Sequence, residues 1–267
     1  MESEPFISFD GVQKRFKVNG NEVVAVHSVS LDIKRGEIVT LVGPAGCGKS
    51  VLLNMIAGLY GPSEGVLHYG GAAVKGVNNC VGYMTQTDHL LPWRSVAGNI
   101  AAPLEIGLRS QSDIDRRVEE LLALVGLSGF GSSYPNELSG GMRKRVAMAR
   151  LLASEPETLL MDEPFRALDA EMRLPLQAEL LRLCKQLKKT VLFVTHDVDE
   201  AIGLADRCVV FAGCPGTIDH VMDVPLTQPR NLRQLRGDPH YVELRADLWQ
   251  RLAPDIAGMT DPASLSR

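Results

Sequence analysis

The segment 43–50, GPAGCGKS, is the clearest candidate for chemistry in the sequence. Its pattern, GxxxxGK followed by Ser, lies between a short apolar run and a helical pattern, which is the context that a phosphate-binding loop requires. Small residues let backbone N–H groups approach phosphate oxygens, and the helix N-terminus adds partial positive charge. We expect Lys49 to contact the terminal phosphates of a nucleotide and Ser50 to offer its hydroxyl to Mg²⁺. The candidate nucleotide-binding residues of this loop are Gly43, Pro44, Ala45, Gly46, Cys47, Gly48, Lys49, Ser50 and Val51.

A pair of adjacent carboxylates, Asp162 and Glu163, ends the apolar run that starts at Thr158. Consecutive side chains at a strand end point in different directions, so one carboxylate can bind a metal while the other faces a water molecule. We assign Asp162 to Mg²⁺, and Glu163 to positioning the attacking water or acting as its general base. Alone, the pair is explained equally well as a solvated strand end; beside a phosphate-binding loop the catalytic interpretation is favoured.

The segment 138–142, LSGGM, predicts a second anion-binding helix N-terminus. Ser139, Gly140 and Gly141 expose a hydroxyl and backbone N–H groups, and a helical pattern follows from Met142 to Ala153. A second phosphate site on a chain with one nucleotide loop needs an explanation. Two copies arranged head to tail supply it, because each copy then closes the nucleotide of the other.

Alternating strand and helix patterns must position these groups. The predicted strands are 22–33 with one slip after Val26, 37–42, 81–84, 159–161, 191–194 and 209–211. Predicted helices include 48–59, one capped near Ser112, one with Pro175 in its first turn, and one in the tail through Tyr241, Leu244, Leu248 and Leu252. This order predicts an α/β fold in which a mostly helical subdomain is inserted between the strands at Val81 and Leu159.

Composition limits the function classes. The chain has 267 residues, 45% of them hydrophobic, with 28 basic and 32 acidic side chains and a net charge of −4. The chain has no basic excess, which argues against binding to a nucleic-acid phosphate backbone. Its few aromatic residues argue against a surface on which bases stack. Five cysteines without a CxxC pair favour a reducing cytosol. We expect no signal peptide and no membrane span, so another chain would hold the protein at a membrane.

With these motifs in this order, the chain resembles the ATP-binding subunit of an ABC transporter over nearly its full length, about residues 6–252. The resemblance implies the P-loop NTPase fold of ABC ATPases: a mixed-sheet core, an antiparallel β part and an inserted helical subdomain. We expect a single ABC ATPase domain over 1–267, with the helical subdomain at about 87–153 and a C-terminal extension at about 213–267.

The resemblance also implies roles that the residues alone do not. Phe16 resembles the aromatic residue that stacks on adenine, and Gln86 the glutamine that reaches Mg²⁺ and faces the transmembrane partner. Ser139, Gly140 and Gly141 resemble the signature segment that contacts the γ-phosphate across a dimer. Asp169, in 167–169, resembles the loop that couples the two sites, and His196 the histidine that senses the γ-phosphate. Glu163, His196 and Lys49 are thus the candidate catalytic residues, ATP and Mg²⁺ the implied ligands, and Ser50, Gln86 and Asp162 the candidate metal ligands.

The finer resemblance is to ATPases of the nitrate, sulfonate and taurine importer group. It rests on LPWR at 91–94, MDEPF at 161–165, Pro215-Gly216 and the Arg-rich tail. Three positions depart from the usual pattern of such proteins. Lys144 stands where the signature helix commonly has glutamine, Arg166 where the group usually has glycine, and Cys214 where a basic residue usually precedes Pro-Gly. Arg166 places bulk and charge close to the coupling loop, so we expect it to alter turnover.

Cys47 has two interpretations. Lys49 and the helix N-terminus would each lower the pKa of its thiol, which predicts sensitivity to alkylation. The plainer interpretation, which we favour, is a small residue that fills space.

The function that follows is an ATP-hydrolysing subunit of a bacterial importer for a small, nitrate-, sulfonate- or taurine-like solute. Its partners would be a second copy, membrane permease subunits and, indirectly, a periplasmic or extracellular solute-binding protein, with no nucleic acid. It would lie peripherally on the cytoplasmic face of the inner membrane. The alternatives are a soluble ABC ATPase acting on nucleic acid or the ribosome, and a P-loop kinase. The first usually has two cassettes or a long coiled coil, and the second needs an acceptor pocket rather than a second chain.

Overall fold

The computed structural model describes residues 4–107, 109–166, 168, 170–228 and 230–258. The described part divides into two compact units, a first unit within 1–78 and 181–267 and a second within 79–180. The strands of the described residues are, in chain order, β1 (Ile7–Val18), β2 (Asn21–Ile33), β3 (Ile38–Val42), β4 (Glu64–Tyr69), β5 (Ala72–Ala73), β6 (Val81–Met84), β7 (Thr158–Asp162), β8 (Thr190–Val194), β9 (Arg207–Ala212) and β10 (Thr217–Asp223). The α-helices are α1 (Lys49–Ile56), α2 (Val96–Ile106), α3 (Gln111–Leu124), α4 (Gly140–Ala153), α5 (Ala170–Gln186), α6 (Val198–Leu204) and α7 (Pro239–Gly258).

The first unit contains an antiparallel sheet in the order β2-β1-β4-β5 and a group of strands around β3. β3 pairs in parallel with β8 and β9, and β10 pairs antiparallel with β9. Every residue of β3 is buried, as its continuous apolar run predicts. The predicted slip after Val26 is confirmed as a bulge, because Val26 pairs with Lys14 whereas Val29 pairs with Val12.

The C-terminal part of the first unit packs on α6. An apolar cluster joins β9, β10, α6 and α7, and its α7 members are Tyr241, Leu248 and Leu252. Leu248 is fully buried there. The helical spacing predicted for the tail is therefore confirmed, since it gives α7 one apolar face that the cluster covers.

The second unit is mainly helical. β6 and β7 pair in parallel, and α2, α3 and α4 pack against one another. α4 also packs against β6. Among the described helices, none has the length and apolar character that a bilayer crossing requires.

Two local predictions are wrong. The N-cap of α3 is Ser110 rather than Ser112, because the Ser110 hydroxyl accepts the hydrogen bond from the Asp113 N–H. Pro175 lies inside α5 rather than in its first turn, because α5 already begins at Ala170.

Candidate functional site

The phosphate loop connects β3 to α1, and its backbone requires glycine at two positions. Gly43 and Gly48 have φ angles of 150° and 88°. A Cβ atom at Gly43 would lie 2.5 Å from the Phe211 carbonyl oxygen, and one at Gly48 would lie 2.6 Å from the Ala25 carbonyl oxygen. The loop therefore packs so closely on its neighbours that only glycine fits at these turns. The GxxxxGK spacing places Lys49 at the first residue of α1.

Lys49 is a buried cation that the loop itself holds. The side chain is 4% exposed, and Nζ donates to the carbonyl oxygens of Gly43 at 2.9 Å and Pro44 at 2.7 Å. Within the described residues of the first unit, no carboxylate forms an ion pair with Lys49. Because a buried charge is costly unless it is compensated, this ammonium group fits an anionic ligand such as a phosphate.

The expectation of a lowered pKa at Cys47 is wrong. Burial raises the pKa of the Cys47 thiol, and this effect outweighs the nearby Lys49 ammonium group, whose Nζ lies 3.4 Å from Sγ. The Cys47 side chain is fully buried. The space-filling interpretation therefore fits the structure better than the reactive-thiol hypothesis.

We expect maleimide labelling at neutral pH to occur at the exposed Cys80 and Cys214 and to spare Cys47. The reason is that only a thiolate reacts, and burial at Cys47 opposes both ionisation and access. Peptide mass spectrometry of the labelled chain measures this directly, with labelling in denaturant as the control for total reactivity. Labelling of Cys47 in the folded chain as fast as that of Cys80 would contradict the structure.

The Pro215-Gly216 dipeptide packs against the phosphate loop. The Gly216 carbonyl oxygen accepts from the His27 N–H at 3.0 Å, and the Gly216 N–H donates to the Ala25 carbonyl. A Cβ atom at Gly216 would lie 1.8 Å from the Cys47 carbonyl oxygen. The sequence singled out Pro215-Gly216 only as a marker of the importer group; the structure shows that its glycine permits close packing on the loop.

His196 follows β8 at the same edge of the sheet as the phosphate loop. Leu41 of β3 pairs with Val194 of β8, and the Thr195 N–H donates to the Leu41 carbonyl oxygen at 3.2 Å. Because the carboxyl ends of parallel strands lie at one edge of a sheet, Gly43 and His196 emerge from neighbouring strand ends. The His196 side chain is exposed.

Phe16 lies on β1 and is partly exposed. Its ring meets the Tyr60 ring edge to face at 5.3 Å, and the Lys14 ammonium group lies 5.2 Å from its centroid. The Lys14 ammonium also lies 4.7 Å from the Tyr60 centroid. The side chains of Phe16, Tyr60 and Lys14 together form an aromatic and cationic surface. Phe16 alone was identified from the sequence, because no local pattern links it to Tyr60.

In the second unit, Gln86 and Glu163 emerge from a pair of parallel strands. Met84 of β6 pairs with Met161 of β7. Gln86 is exposed just beyond β6, and Asp162 ends β7 with Glu163 following it at a φ of 46°. A positive φ is uncommon for glutamate and turns the chain sharply after Asp162. The sharp turn is consistent with different directions for the two carboxylates, as the strand-end argument expects.

Arg166 forms an ion pair with Glu163. Its Nη1 donates to Glu163 Oε2 at 2.8 Å, and the arginine side chain is 63% exposed whereas that of Glu163 is 15% exposed. Arg166, which stands where the importer group usually has glycine, therefore contacts the candidate catalytic carboxylate itself. A cation at this oxygen competes with a water molecule for the same lone pairs.

Replacing Arg166 with glycine should therefore raise the ATP turnover number. An exposed ion pair is worth at most about 1 kcal/mol, so the expected increase is roughly two- to fivefold. Steady-state phosphate release measures it, with KM for ATP expected to stay the same. Arg166→Lys keeps the charge and serves as the control; a glycine variant no faster than the lysine variant would show that the ion pair does not restrain Glu163.

Lys144 supports the segment that contains Gln86. Its buried ammonium group donates to the Gln86 carbonyl oxygen at 2.8 Å and pairs with Asp88 Oδ1 at 2.7 Å. Arg150 of the same helix donates to the carbonyl oxygens of Asp88 and His89. Lys144 thus has a structural role that sequence reasoning missed, because its partners lie far away along the chain.

Ser139 is the N-cap of α4. Its hydroxyl accepts from the Met142 N–H at 3.2 Å, and Ser139 and Gly140 are exposed whereas Gly141 is buried. The predicted helix N-terminus is confirmed, with α4 starting at Gly140. Asp169, the candidate residue of the coupling loop, lies outside the described residues, as does Ala167.

The chain is similar to several proteins of known name. The chain is 43% identical over 245 residues to the aliphatic sulfonates import ATP-binding protein of Bacillus cereus, covering 92% of this chain and 95% of that protein. It is 39% identical over 257 residues to a nitrate import ATP-binding protein of Synechococcus elongatus, covering 94% of each. A longer relative, the bicarbonate transport ATP-binding protein of Synechocystis, is 43% identical over 91% of this chain, which spans only 37% of that protein.

A solved structure is similar as well. The ATP-binding cassette MJ0796, in a dimeric post-hydrolysis state bound to ADP and Pi, matches with a TM-score of 0.73 and 30% identity, covering 83% of this chain and all of that one. The family model described as ABC transporter matches residues 26–166. The expected P-loop fold of ABC ATPases is confirmed. The chain therefore belongs to the ABC transporter family, as an ATP-binding and ATP-hydrolysing enzyme of the ABC type.

Proposed function

We propose that this ATPase is the energising subunit of an importer and forms one ABC ATPase domain over its whole length, with a helical subdomain at 87–153 and an extension from 213. In it, Lys49 and the backbone of the phosphate loop bind the phosphates of ATP, and Phe16 stacks on the adenine. Glu163 orients the attacking water and accepts its proton, and His196 contacts the γ-phosphate. The observation that carries the nucleotide assignment is the buried Lys49 ammonium, whose contacts within the loop are the Gly43 and Pro44 carbonyl oxygens and the Cys47 sulfur, none of them a carboxylate.

Mg²⁺ fits the donor set that the sequence supplies. The Ser50 hydroxyl, the Asp162 carboxylate and the Gln86 amide oxygen are hard oxygen ligands of the kind that Mg²⁺ prefers. Bound Mg²⁺ would neutralise charge on the β- and γ-phosphates. The chain's own part is to present these oxygens, and Lys144 contributes by fixing the Gln86 backbone.

A second copy completes the site in this proposal. The exposed Ser139 and Gly140 would contact the γ-phosphate bound by the partner copy, which explains a helix N-terminus with exposed donors in a chain that has one phosphate loop. Asp169 would belong to the loop that couples the two sites. The dimeric state of the similar cassette MJ0796 supports this arrangement.

A membrane permease is the proposed docking partner of the second unit. A groove of about 430 Å³ lies among β6, α2 and α4, lined in part by Thr85, His89, Pro103, Ile106, Arg150 and Leu151. Ile106 is 83% exposed and Trp93 is 71% exposed. Apolar and basic side chains together suit an amphipathic helix of a partner. Through it, the chain would lie peripherally on the cytoplasmic face of the inner membrane.

The proposed solute is a small molecule or ion of the nitrate, sulfonate or taurine kind, supplied through an external solute-binding protein. Relatives of similar length carry the names nitrate import and aliphatic sulfonates import ATP-binding protein. The permease and the binding protein would select the solute, so this assignment rests on those relatives.

Co-purification from detergent-solubilised membranes tests the proposal. We expect a multi-span membrane protein to accompany the tagged chain and to be lost from Ile106→Asp, whose ATPase activity in isolation should remain. Val77→Asp is the matched control, since Val77 is also exposed but belongs to the first unit. A chain recovered with ribosomes or nucleic acid instead would favour the soluble ATPase alternative and overturn the transport assignment.

A further inference from the structure

The helix that follows His196 is held by the C-terminal extension. Asp199, in the first turn of α6, accepts three hydrogen bonds from that extension, and these four residues are called the Asp199 cluster below. The donors are the Tyr241 hydroxyl at 2.8 Å, Arg245 Nε at 2.7 Å and Arg236 Nη2 at 3.2 Å. Tyr241 is buried, whereas the Asp199 side chain is 32% exposed.

The groups of the Asp199 cluster shift one another's pKa values. Burial alone would raise the pKa of Asp199, but the hydrogen bonds from Tyr241 and Arg245 and the charges of Arg245 and Arg236 outweigh it, so the pKa is lowered. Burial and the bond to Asp199 raise the pKa of the Tyr241 hydroxyl. Asp199 therefore stays ionised and Tyr241 stays protonated at physiological pH, and the bonds between them persist.

Asp199 is also bonded to the segment that carries His196. Its backbone N–H donates to the Asp197 side chain at 2.8 Å, which caps α6, and the Asp197 N–H donates to the Thr195 hydroxyl at 3.0 Å. That hydroxyl donates to the buried Glu200 carboxylate. The backbone on both sides of His196 is thus fixed by one short network, and Asp199 connects this network to α7.

The far end of α6 is fixed in the same way. The buried Arg230 donates to the carbonyl oxygens of Ile202, Gly203 and Ala205, and also to that of Val224. The extension thereby holds both ends of a short helix, which has too few internal hydrogen bonds to define its own position firmly.

We propose that Asp199 is a positioning residue for His196: by joining the Thr195–Glu200 segment to Tyr241 and Arg245 of α7, it fixes the direction in which the imidazole meets the γ-phosphate. The proposal rests on the role given to His196 above. It assigns the C-terminal extension a part in hydrolysis, although the extension lies far along the chain from the nucleotide motifs.

The test uses the full-length chain with Asp199→Asn, which keeps the shape and removes the charge. We expect kcat for ATP to fall about three- to tenfold while ADP affinity stays the same, because the phosphate loop is untouched. Tyr241→Phe should show a smaller fall of the same kind, and Asp199→Glu should recover part of the rate. Asp247→Asn is the matched control, since Asp247 lies on α7 and pairs with Arg251 of the same helix.

A double-variant cycle with His196→Ala separates positioning from general destabilisation. If Asp199 acts through His196, adding Asp199→Asn to His196→Ala should cause no further loss of kcat. A further loss equal to that in the wild-type background would overturn the inference, as would an unchanged kcat in Asp199→Asn. If His196→Ala itself retains the wild-type rate, the role proposed for His196 fails and the inference fails with it; a slow His196→Ala beside a fast Asp199→Asn rejects the inference alone.

Discussion

Replacing Glu163 with glutamine is expected to lower ATP turnover by about a hundredfold or more while leaving ATP binding intact, because a positioned general base contributes roughly 10²- to 10⁴-fold to a rate. Glutamine keeps the shape of the side chain but cannot accept the proton of the attacking water. The substitution also removes the ion pair with Arg166. No gain in rate follows from that loss, because the carboxylate that Arg166 restrains is itself gone. Single-turnover phosphate release and equilibrium ATP binding measure the two quantities separately.

The control for Glu163→Gln is Glu157→Gln, an exposed glutamate that precedes β7 at its opposite end. We expect this variant to hydrolyse ATP at the wild-type rate. In the presence of MgATP, Glu163→Gln should also accumulate as a dimer, since hydrolysis no longer reopens the pair. Turnover by Glu163→Gln within a few-fold of wild type would remove Glu163 from the role of general base.

Removing the Lys49 ammonium should weaken nucleotide binding itself. Truncating one partner of a buried charged contact costs about 2–4 kcal/mol, which corresponds to a loss of affinity of roughly thirty- to a thousandfold. Lys49→Met is the variant to use, because it keeps most of the buried side-chain volume in the loop. Calorimetric titration with ADP measures the affinity without turnover.

Thermal unfolding accompanies this titration, since Lys49→Met also leaves the Gly43 and Pro44 carbonyl oxygens without their donor. Lys75→Ala, at an exposed position of the same unit, is the control and should bind ADP normally. A folded Lys49→Met variant with wild-type ADP affinity would contradict the assignment of Lys49 to the phosphates.

The strands near the nucleotide motifs could be predicted because their signals are local. The apolar run 81–84 matches β6 at both ends, and the run 37–42 matches β3 within one residue. β3 is buried at every residue, which gives it a continuous apolar run, whereas β6 alternates buried and partly exposed residues. The motif GxxxxGK also located the phosphate loop, because close packing demands glycine at fixed positions.

Helix ends were predicted less well, for a physical reason. Ser110 and Ser112 are chemically equivalent candidates for the N-cap of α3, and their hydroxyl groups lie 3.1 Å apart in the structure. Only the backbone direction decides which one caps the helix. Pro175 was expected in a first turn because proline is best tolerated there; α5 instead begins at Ala170 and accommodates the ring inside.

Contacts between distant parts of the chain could not be predicted from sequence. The bond from Lys144 to the Gln86 carbonyl and the bonds from the extension to Asp199 follow from packing, which no local pattern shows. Burial decides the chemistry of Cys47 in the same way. Its neighbours in sequence favour a lowered pKa, whereas burial of the thiol raises it.

Coupling of ATP hydrolysis at Glu163 to transport can be measured as uptake of radiolabelled nitrate, taurine, a sulfonate and bicarbonate by cells that lack this chain, complemented with wild type or with Glu163→Gln. We expect wild type to restore uptake of one of these solutes, and Glu163→Gln, present in the membrane fraction at the same level, not to restore it. Uptake that is unchanged by loss of the chain, or restored equally by Glu163→Gln, would contradict it.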